Sequence, residues 1–263
     1  MHTEERRRQI ASLTAVEGRV NVTRLAEEFG VTAETIRRDL AALDNEGMVQ
    51  RVHGGAVPSS SFLTAELTME ARYRTSAAAK KAIAREALAY LPEEPGTVFL
   101  DSGTTIQMLA ELFAGDEIAR RHSYVTNSWP IALQLSSDQV SVQLLGGTVR
   151  ALTHAIVGDT ALRTLALLSA DVAFIGTNAL SIPSGLSTAD PQEAAVKSSM
   201  VTNASRVVAL CDSTKLGNNY AVSFAPLASL DAVITDTKAP DSFVADLESS
   251  GIEVVLADPA LFS

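Results

Sequence analysis

Beyond residue 80 the sequence alternates between short apolar runs and helical patterns, and this alternation limits the possible folds more than any other feature. Seven apolar runs are predicted strands, at residues 97–101, 123–126, 140–145, 172–175, 207–211, 232–235 and 253–256. Helical patterns occupy most of the intervals between them. Such alternation predicts a mostly parallel sheet with helices on both faces, and open sheets of this kind bind ligands at the carboxyl ends of their strands.

Small polar residues and glycines follow five of these predicted strands. They are Asp101 to Thr105, Thr126 with Asn127, Gly146 with Gly147, Gly176 to Asn178, and Asp212, Ser213 and Lys215. Any one of these loops is ordinary turn chemistry, but all five lie at one predicted edge of the sheet. Between a strand and a helix, as at Asp101–Thr105, hydroxyls and backbone N–H groups can bind a phosphate.

The first 57 residues have a different pattern, which predicts a winged helix-turn-helix domain. Helices are predicted at residues 3–16, 22–29 and 33–45, followed by a strand at 48–52 and a tight turn at 53–56. Residues 58–79 are rich in Ser, Thr and Ala and are predicted to be a linker. The second domain then covers residues 80–263.

The third predicted helix carries the candidate DNA-binding side chains. Its spacing directs Ile36, Leu40 and Leu43 to the core and leaves Thr35, Arg37 and Arg38 outside. Thr32 lies at the helix start, where backbone N–H groups favour a phosphate. Arg51 and His53 belong to the predicted wing. The alternative is that Arg37 and Arg38 form a solvated face paired with Glu34 or Asp39, but the helix-turn-helix spacing favours DNA contact.

The net charge is informative about function only when it is counted separately for the two predicted domains. The formal net charge is −10, which by itself argues against a nucleic-acid binder. Residues 1–56 contain eight arginines and nine acidic residues, so the remaining 207 residues carry most of the acidity. Every cation of the first part is an arginine, whose planar fork suits phosphates and guanine edges. The positions of these arginines are therefore more informative about DNA binding than the net charge of the whole chain.

These segments resemble the DeoR-type bacterial transcription regulators. The resemblance rests on TIRRDL (Thr35 to Leu40) and HGGA (His53 to Ala56), and on DSGTT, VTN, GG and CDSTK at the strand ends. It implies a two-domain α+β protein, with an N-terminal winged helix-turn-helix and a C-terminal α/β sensor domain that resembles sugar-phosphate isomerases. Residues 61–74 and 158–167 resemble, more narrowly, actinobacterial repressors of sugar-uptake phosphotransferase genes.

The resemblance implies a repressor that a phosphorylated sugar, such as fructose 1-phosphate or another hexose phosphate, releases from its operator. Ser102 to Thr105 would bind the phosphate, and Lys215, with Lys197 or Lys80, would balance its charge. An oligomer, dimer or tetramer, is expected because two-fold operators match dimeric proteins. The implied effector residues are Asp101, Ser102, Gly103, Thr104, Thr105, Asn127, Gly147, Gly176, Asn178, Glu193, Lys197, Asp212 and Lys215.

An isomerase-like enzyme with an attached DNA-binding domain is the alternative function. Asp101, Glu193, Asp212 and Lys215 could supply acid and base groups. The four histidines lie outside the strand-end loops, however, and His122 is expected on the surface. The resemblance and these positions favour a regulator without catalysis.

No metal or cofactor is predicted, because Cys and His residues are not spaced as ligands. Cys211 is the only cysteine, and the first residues include Glu4, Glu5 and three arginines rather than an apolar segment. A reducing compartment is therefore expected, without a secretory signal. No apolar run reaches 18 residues, so no membrane-spanning helix is expected, and the lack of an amphipathic basic segment argues against membrane association. These features predict a cytoplasmic protein.

Overall fold

The computed structural model describes residues 3–17, 20–45, 48–52, 54–58 and 69–262. The chain divides into two compact units, Met1–Thr75 and Ser76–Ser263. Each unit has a hydrophobic core of its own. The two predicted domains, an N-terminal helix-turn-helix and a C-terminal α/β domain, are confirmed as the fold class.

The N-terminal unit contains four helices and a small antiparallel sheet in its described residues. Its elements are α1 (Thr3–Glu17), β1 (Val20–Asn21), α2 (Val22–Phe29), α3 (Ala33–Asn45), β2 (Val49–Val52), β3 (Gly55–Pro58) and α4 (Met69–Arg74). The strand order is β1-β3-β2, and β2 and β3 form the wing hairpin. The core is formed by Ile10, Val20, Leu25, Ile36, Leu40, Leu43, Val49 and Ala56, all at most 1% exposed.

Local sequence chemistry sets the ends of the central helices. The Asn21 side chain accepts a hydrogen bond from the Thr23 N–H at 2.8 Å and so caps α2. Gly30 ends α2 with a φ of +64°, and its N–H donates to the carbonyls of Ala26 and Glu27. The Thr32 hydroxyl accepts from the Thr35 N–H at 3.2 Å, which caps α3 two residues after Gly30. These caps fix the turn between α2 and α3.

The segment between the units is more regular than the sequence predicts. Residues 58–79 are predicted as linker, whereas Met69–Arg74 form α4 and the following helix already begins at Ala77. Residues 59–68 lie outside the described part. The alanines at 77–79 and 82 allow the helix to start five residues before the predicted one, since alanine has the highest helix propensity.

The C-terminal unit is built on one large parallel sheet. It contains β4 (Thr97–Leu100), β5 (Ser123–Thr126), β6 (Val142–Leu144), β9 (Val172–Gly176), β12 (Val207–Leu210), β14 (Ala232–Asp236) and β15 (Glu253–Ala257). The strand order is β15-β14-β12-β9-β4-β5-β6, and every neighbouring pair is parallel. All seven predicted strands belong to this sheet, and the central β9 and β12 are buried along their whole length.

Helices precede the first strand of this sheet and connect most of the others, as the alternation predicts; between β12 and β14, in the described residues 211–231, there is no α-helix. The helices are α5 (Ala77–Ala87), α6 (Thr104–Phe113), α7 (Trp129–Ser137), α8 (Asp159–Leu165), α9 (Pro191–Thr202) and α10 (Asp241–Ser249). The first three strands along the chain run outward from β4 to β6, and the other four run outward from β9 in the opposite direction. The order of the strands therefore reverses between β4 and β9, which is where open sheets of this kind place their ligands.

Two smaller β-elements are present that the sequence reasoning missed. One is an antiparallel sheet of β10 (Ala179–Ser181), β11 (Gly185–Thr188) and β13 (Val222–Ala225), and the other is the hairpin of β7 (Thr148–Val149) and β8 (Ile156–Val157). β7, β8 and β10 contain only two or three residues and show no alternating pattern, whereas the predicted strands of the large sheet lie in longer apolar runs of the sequence. His122, expected on the surface, is instead 2% exposed, and its Nδ1 accepts the Gly96 N–H at 3.1 Å.

Candidate functional site

The loops after β4 and β9 lie side by side at the point where the strand order reverses. Leu100 of β4 pairs with Phe174 of β9, and the Asp101 N–H donates to the Phe174 carbonyl at 3.1 Å. The predicted loops Asp101–Thr105 and Gly176–Asn178 continue from these two strand ends. The structure therefore brings two distant segments of the predicted site together.

A buried ion pair joins these two loops. Asp101 and Lys197 form it, at 0% and 3% exposure, and the Asp101 Oδ2 also accepts the Gly176 N–H at 2.9 Å. The Lys197 ammonium donates to the Gly176 carbonyl at 3.0 Å. Burial raises the pKa of the Asp101 carboxyl above its ordinary value, and Lys197 opposes this shift. The pair is formally neutral, so its geometric effect is to hold the β4 and β9 loops together.

The N-terminus of α6 follows directly after Asp101. Gly103 precedes the helix with a φ of +155°, a backbone conformation that suits glycine. Ser102, Thr104 and Thr105 are 5%, 4% and 7% exposed. The first N–H groups of a helix have no partner within the helix, and they carry its positive dipole end. Hydroxyls and N–H donors at this point form a potential oxyanion site.

Glu193 is held by an arginine that the sequence reasoning did not select. The Arg150 guanidinium and the Thr153 hydroxyl both contact the Glu193 carboxylate, and Arg150 also lies 3.4 Å from Asp190. Asp190 caps α9 by accepting the N–H groups of Gln192 and Glu193 at 2.9 Å. Arg150 and Thr153 lie between β7 and β8. A single arginine three residues after a glycine pair resembles a surface residue, so no sequence signal distinguished it.

The β7–β8 hairpin is attached to the loop after β5 through Asn127. The Asn127 carbonyl accepts the Ile156 N–H at 2.7 Å, and its side-chain Nδ2 donates to the Ile156 carbonyl at 3.3 Å. At Gly147 a Cβ atom would lie 2.5 Å from the Val157 carbonyl oxygen, and φ is +148°. Gly147 is therefore required by the close approach of the two hairpin strands.

Two aspartates occupy the ends of β12 and β14. Asp212 is 1% exposed, and its Oδ1 accepts from the Thr214 N–H and hydroxyl. Asp236, which the sequence reasoning missed, is 2% exposed and accepts the Ser213 N–H at 2.7 Å and the Ser213 hydroxyl at 2.9 Å. Lys215 is half-buried in the short 3-10 helix Ser213–Lys215. This side of the edge is predominantly acidic.

The remaining predicted effector residue, Asn178, is also buried at the edge. It is 8% exposed, and its N–H donates to the Ser187 carbonyl at 3.1 Å. Its position anchors the loop after β9 to β11. Within the described residues, no group of three or more His, Cys, Asp or Glu side chains is placed to hold a metal ion.

The α3 helix carries a separate set of exposed groups. Arg37 and Arg38 are exposed, and the Arg37 guanidinium lies 3.2 Å from Glu34, itself exposed. The Thr35 hydroxyl is 2.9 Å from the Thr32 hydroxyl, so both threonines contribute to the helix start. Arg51 is exposed on β2. His53 lies outside the described residues.

Two other arginines pair with α3 from within the unit. Arg6 and Arg7 of α1 contact the Asp39 carboxylate through their Nε atoms at 2.7 and 3.0 Å, and Asp39 is 2% exposed. The alternative in which Asp39 pairs with Arg37 or Arg38 is therefore wrong, whereas the pairing of Arg37 with Glu34 is present. The Arg6–Asp39 pair fixes α3 against α1 and leaves Arg38 exposed on α3.

A helix-turn-helix with an exposed arginine face and an α/β domain with a polar strand edge define the class of two-domain, ligand-responsive DNA-binding proteins. Two family models match the chain: the DeoR-like helix-turn-helix domain over residues 6–62 and the DeoR C terminal sensor domain over residues 75–237. The sensor model alone covers more than half of the chain. The chain belongs to the DeoR family of transcriptional regulators, which confirms the resemblance found in its sequence.

Whole-length relatives agree with this assignment. The HTH-type transcriptional regulator GlpR of Haloferax volcanii is 38% identical over 251 residues, with 95% of this chain and 96% of the relative covered. The lactose phosphotransferase system repressor of Staphylococcus aureus is 32% identical over 239 residues, with 90% and 93% covered. The resemblance to the actinobacterial subgroup stays a prediction.

Among solved structures, ribose 5-phosphate isomerase from Plasmodium falciparum is similar over 53% of each chain, with 15% identity and a TM-score of 0.40. eIF2B delta from Chaetomium thermophilum is similar over 54% of this chain and 50% of its own, with 14% identity and a TM-score of 0.40. Separately, none of the helices in the described ranges combines the length and apolar character needed to cross a membrane.

Proposed function

We propose that this protein represses genes of sugar uptake or metabolism and is released from its operator by a phosphorylated sugar bound to the C-terminal unit. The observation that carries the proposal is the buried polar edge at the β4–β9 reversal, in a chain that also has an α3 helix with exposed arginines. A DNA-binding unit needs only the second feature. The first adds a site suited to a small anion.

In the DNA complex, α3 lies in the major groove. Thr35, Arg37 and Arg38 contact base edges or phosphates there, and the backbone at the capped Thr32 faces a phosphate. Arg51 and His53 hold the wing on the DNA backbone. Support comes from the exposure of Arg37, Arg38 and Arg51 together with the burial of Ile36, Leu40 and Leu43 on the other side of the helix.

In the effector complex, the N-terminus of α6 binds the phosphate. Ser102, Thr104 and Thr105 supply hydroxyls, Gly103 lets the backbone approach, and helix N–H groups supply donors. Because Lys197 is paired with Asp101, its role is to hold the two loops, and Lys215 is the cation that balances the ligand's charge. Gly147, Gly176 and Asn178 shape the surrounding loops.

The carboxylates at the site are already held in ion pairs and hydrogen bonds, which favours a regulator that does not catalyse a reaction. Glu193 is held by Arg150 and Thr153, and Asp101 by Lys197 and the Gly176 N–H. A general base must be within reach of a substrate proton, and these ion pairs compete with that task. Turnover assays with aldose and ketose phosphates test this point: conversion that is lost in Glu193→Gln would establish an enzyme.

We also propose that the protein acts as a homo-oligomer in the cytoplasm. Two-fold operators match dimeric DNA-binding domains, so a dimer or tetramer is the expected assembly. The single cysteine, Cys211, is buried and fits a reducing compartment. Sedimentation with and without operator DNA measures the assembly, and a monomer in both conditions would contradict it.

Thr104→Val tests the link between the two functions. The change keeps the shape of the side chain and removes the hydroxyl at the first position of α6. We expect operator binding to be unchanged, while the sugar phosphate no longer releases DNA, measured by fluorescence anisotropy. Thr202→Val removes an exposed hydroxyl from α9 and serves as the matched control. Loss of both activities in Thr104→Val would mean a folding defect and would not support the proposed site.

A further inference from the structure

Some polar atoms in the C-terminal unit are buried without a hydrogen-bond partner. In the described part of the chain these atoms are Tyr90 OH, His122 Nε2, Asn127 Oδ1, Thr188 Oγ1, Asp212 Oδ2 and Thr235 Oγ1. Most of these atoms can donate a hydrogen bond. The exceptions are the amide oxygen of Asn127 and, in its ionised form, the carboxylate oxygen of Asp212, which can only accept. An unpaired buried donor costs free energy as an unpaired acceptor does, but among these atoms the oxygens of Asn127 and Asp212 are the two that follow strands of the large parallel sheet at its carboxyl edge.

The orientation of the Asn127 amide follows from its other contact. Its second side-chain atom lies 3.3 Å from the Ile156 carbonyl oxygen, which can only accept, so the NH2 group must face Ile156. The oxygen is therefore the atom that is left without a partner. At Asp212, Oδ1 already accepts from the N–H and hydroxyl of Thr214, which leaves Oδ2. Both side chains are 1% exposed.

Both residues follow carboxyl ends of the same sheet, on either side of the β4–β9 reversal. Asn127 follows β5, the neighbour of β4, and Asp212 lies two residues beyond β12, the neighbour of β9. The loop of Asp212 is tied to the β9 side, because the Gly217 N–H donates to the Leu180 carbonyl at 2.9 Å. With strands spaced by about 4.8 Å, β5 and β12 are about 14 Å apart.

We infer that Asn127 and Asp212 are specificity-determining residues whose buried oxygens each accept a hydrogen bond from a hydroxyl group of the bound effector. The inference rests on the proposed function and adds which groups of the ligand donate hydrogen bonds to the protein. The phosphate ester of the effector does not suit either place at neutral pH, because it is mostly dianionic above its second pKa of about 6 and then has no proton to donate. The effector therefore carries its phosphate at α6 and hydroxyl groups on separate carbon atoms along the edge of the sheet.

The test compares sugar phosphates with inorganic phosphate. Affinities of the full-length protein for glucose 6-phosphate, fructose 6-phosphate, fructose 1-phosphate and inorganic phosphate are measured by calorimetry. For the wild type, at least one sugar phosphate binds more tightly than phosphate. In Asp212→Ala and Asn127→Leu, which leave no polar group to pair with a ligand hydroxyl, we expect this preference to fall about tenfold, which is the value of one such hydrogen bond, while phosphate affinity stays unchanged.

A stability measurement separates a binding role from a structural one. In the ligand-free protein Asp212→Asn keeps an oxygen for Thr214 and replaces Oδ2 by an NH2 group that is also without a partner, but it removes a buried negative charge. Its melting temperature is therefore expected to equal or exceed that of the wild type. Asp236→Asn is the matched control, because both of its oxygens are occupied by Ser213 and the Lys238 N–H. It is expected to melt at a lower temperature and to retain the preference for the sugar phosphate.

Two results overturn the inference, and they differ in what else they affect. If the wild type binds a sugar phosphate and both variants keep its full preference over phosphate, the acceptor role is wrong and the proposed function stands. If no sugar phosphate binds the wild type more tightly than inorganic phosphate, the proposed effector and the acceptor role are both wrong.

Discussion

In the N-terminal unit the candidate functional arginines Arg37 and Arg38 are exposed on a helix, whereas in the C-terminal unit most charged residues at the candidate site are buried. Arg37 and Arg38 lie on the outer side of α3, and Arg37 has only an exposed pairing with Glu34. Asp101, Glu193 and Lys197 are at most 3% exposed, and each is held by an ion pair. A long duplex is contacted by a protruding surface, while a small anion needs donors that are fixed beforehand.

The exposed and the buried charges also differ in what their removal does to the free energy of unfolding. An exposed arginine remains hydrated, so its removal affects partners more than folding. A buried charge is stable only with its partner, so its removal affects folding first. The exposed arginines of α3 and the buried charges at the sheet edge should therefore respond to charge deletion in opposite ways, and the following predictions test this contrast.

Lys197→Met is expected to have the largest effect, on stability. The change leaves Asp101 buried without its cation, and breaking such a pair costs about 3–5 kcal/mol in the free energy of unfolding. Urea denaturation of the C-terminal unit measures it. The double change Asp101→Asn with Lys197→Met should recover much of the loss, and Lys238→Met, at an exposed lysine, should have little effect. A small loss in the free energy of unfolding of Lys197→Met would contradict the contrast between the exposed and the buried charges.

Gly147→Ala and Gly30→Ala compare one glycine from each unit. Gly30 has a φ of +64° and open space around its Cβ position, so alanine costs about 1–2 kcal/mol of backbone strain. At Gly147 the added Cβ would meet the Val157 carbonyl at 2.5 Å, so we expect a loss of at least about 2 kcal/mol. Denaturation curves for each variant measure the difference. Equal losses would contradict the close packing of the β7–β8 hairpin.

Arg38→Ala is expected to leave stability unchanged and to weaken operator binding. Loss of a base-edge contact costs about 1–3 kcal/mol in specific affinity. Anisotropy measurements with operator and random DNA distinguish the kind of contact, because an equal loss on both would assign Arg38 to a phosphate. Arg163→Ala, at an exposed arginine of α8, is the control for a general charge effect. An unstable Arg38→Ala protein would contradict its exposed position.

The smallest expected effect concerns Cys211, which reports whether the interior around the site is closed. Burial, together with the nearby Asp212 carboxylate, raises the pKa of this thiol to about 12. We expect negligible reaction with a thiol reagent at pH 8 in the native protein and rapid reaction after unfolding. Because the unfolded thiol loses its proton at a lower pH, this group lowers stability as pH rises above its ordinary pKa. Rapid native labelling would contradict the burial.

Much of the fold was predictable because its causes are local. Asn21, Gly30 and Thr32 act on helix ends within three or four residues, so the helix-turn-helix could be located from sequence spacing. The central strands β9, β12 and β14 are fully buried and mostly apolar, since strands that are covered on both faces must be apolar, and this made the sheet recognisable in the sequence. β7, β8 and β10 were missed because strands of two or three residues are too short to show an alternating pattern, and β13 was missed because its partner β11 is distant in sequence.

The candidate site, too, was predictable from the sequence only in part. The sequence determined which residue types follow the strands, and so it indicated Asp101 to Thr105, Asn127 and Asp212. Only the tertiary structure decided that Lys197 pairs with Asp101 across 96 residues and that Arg150 reaches Glu193 across 43. It also decided which oxygens are buried without a donor. Burial and hydrogen-bond satisfaction depend on the whole packed unit, and a local stretch of sequence does not contain them.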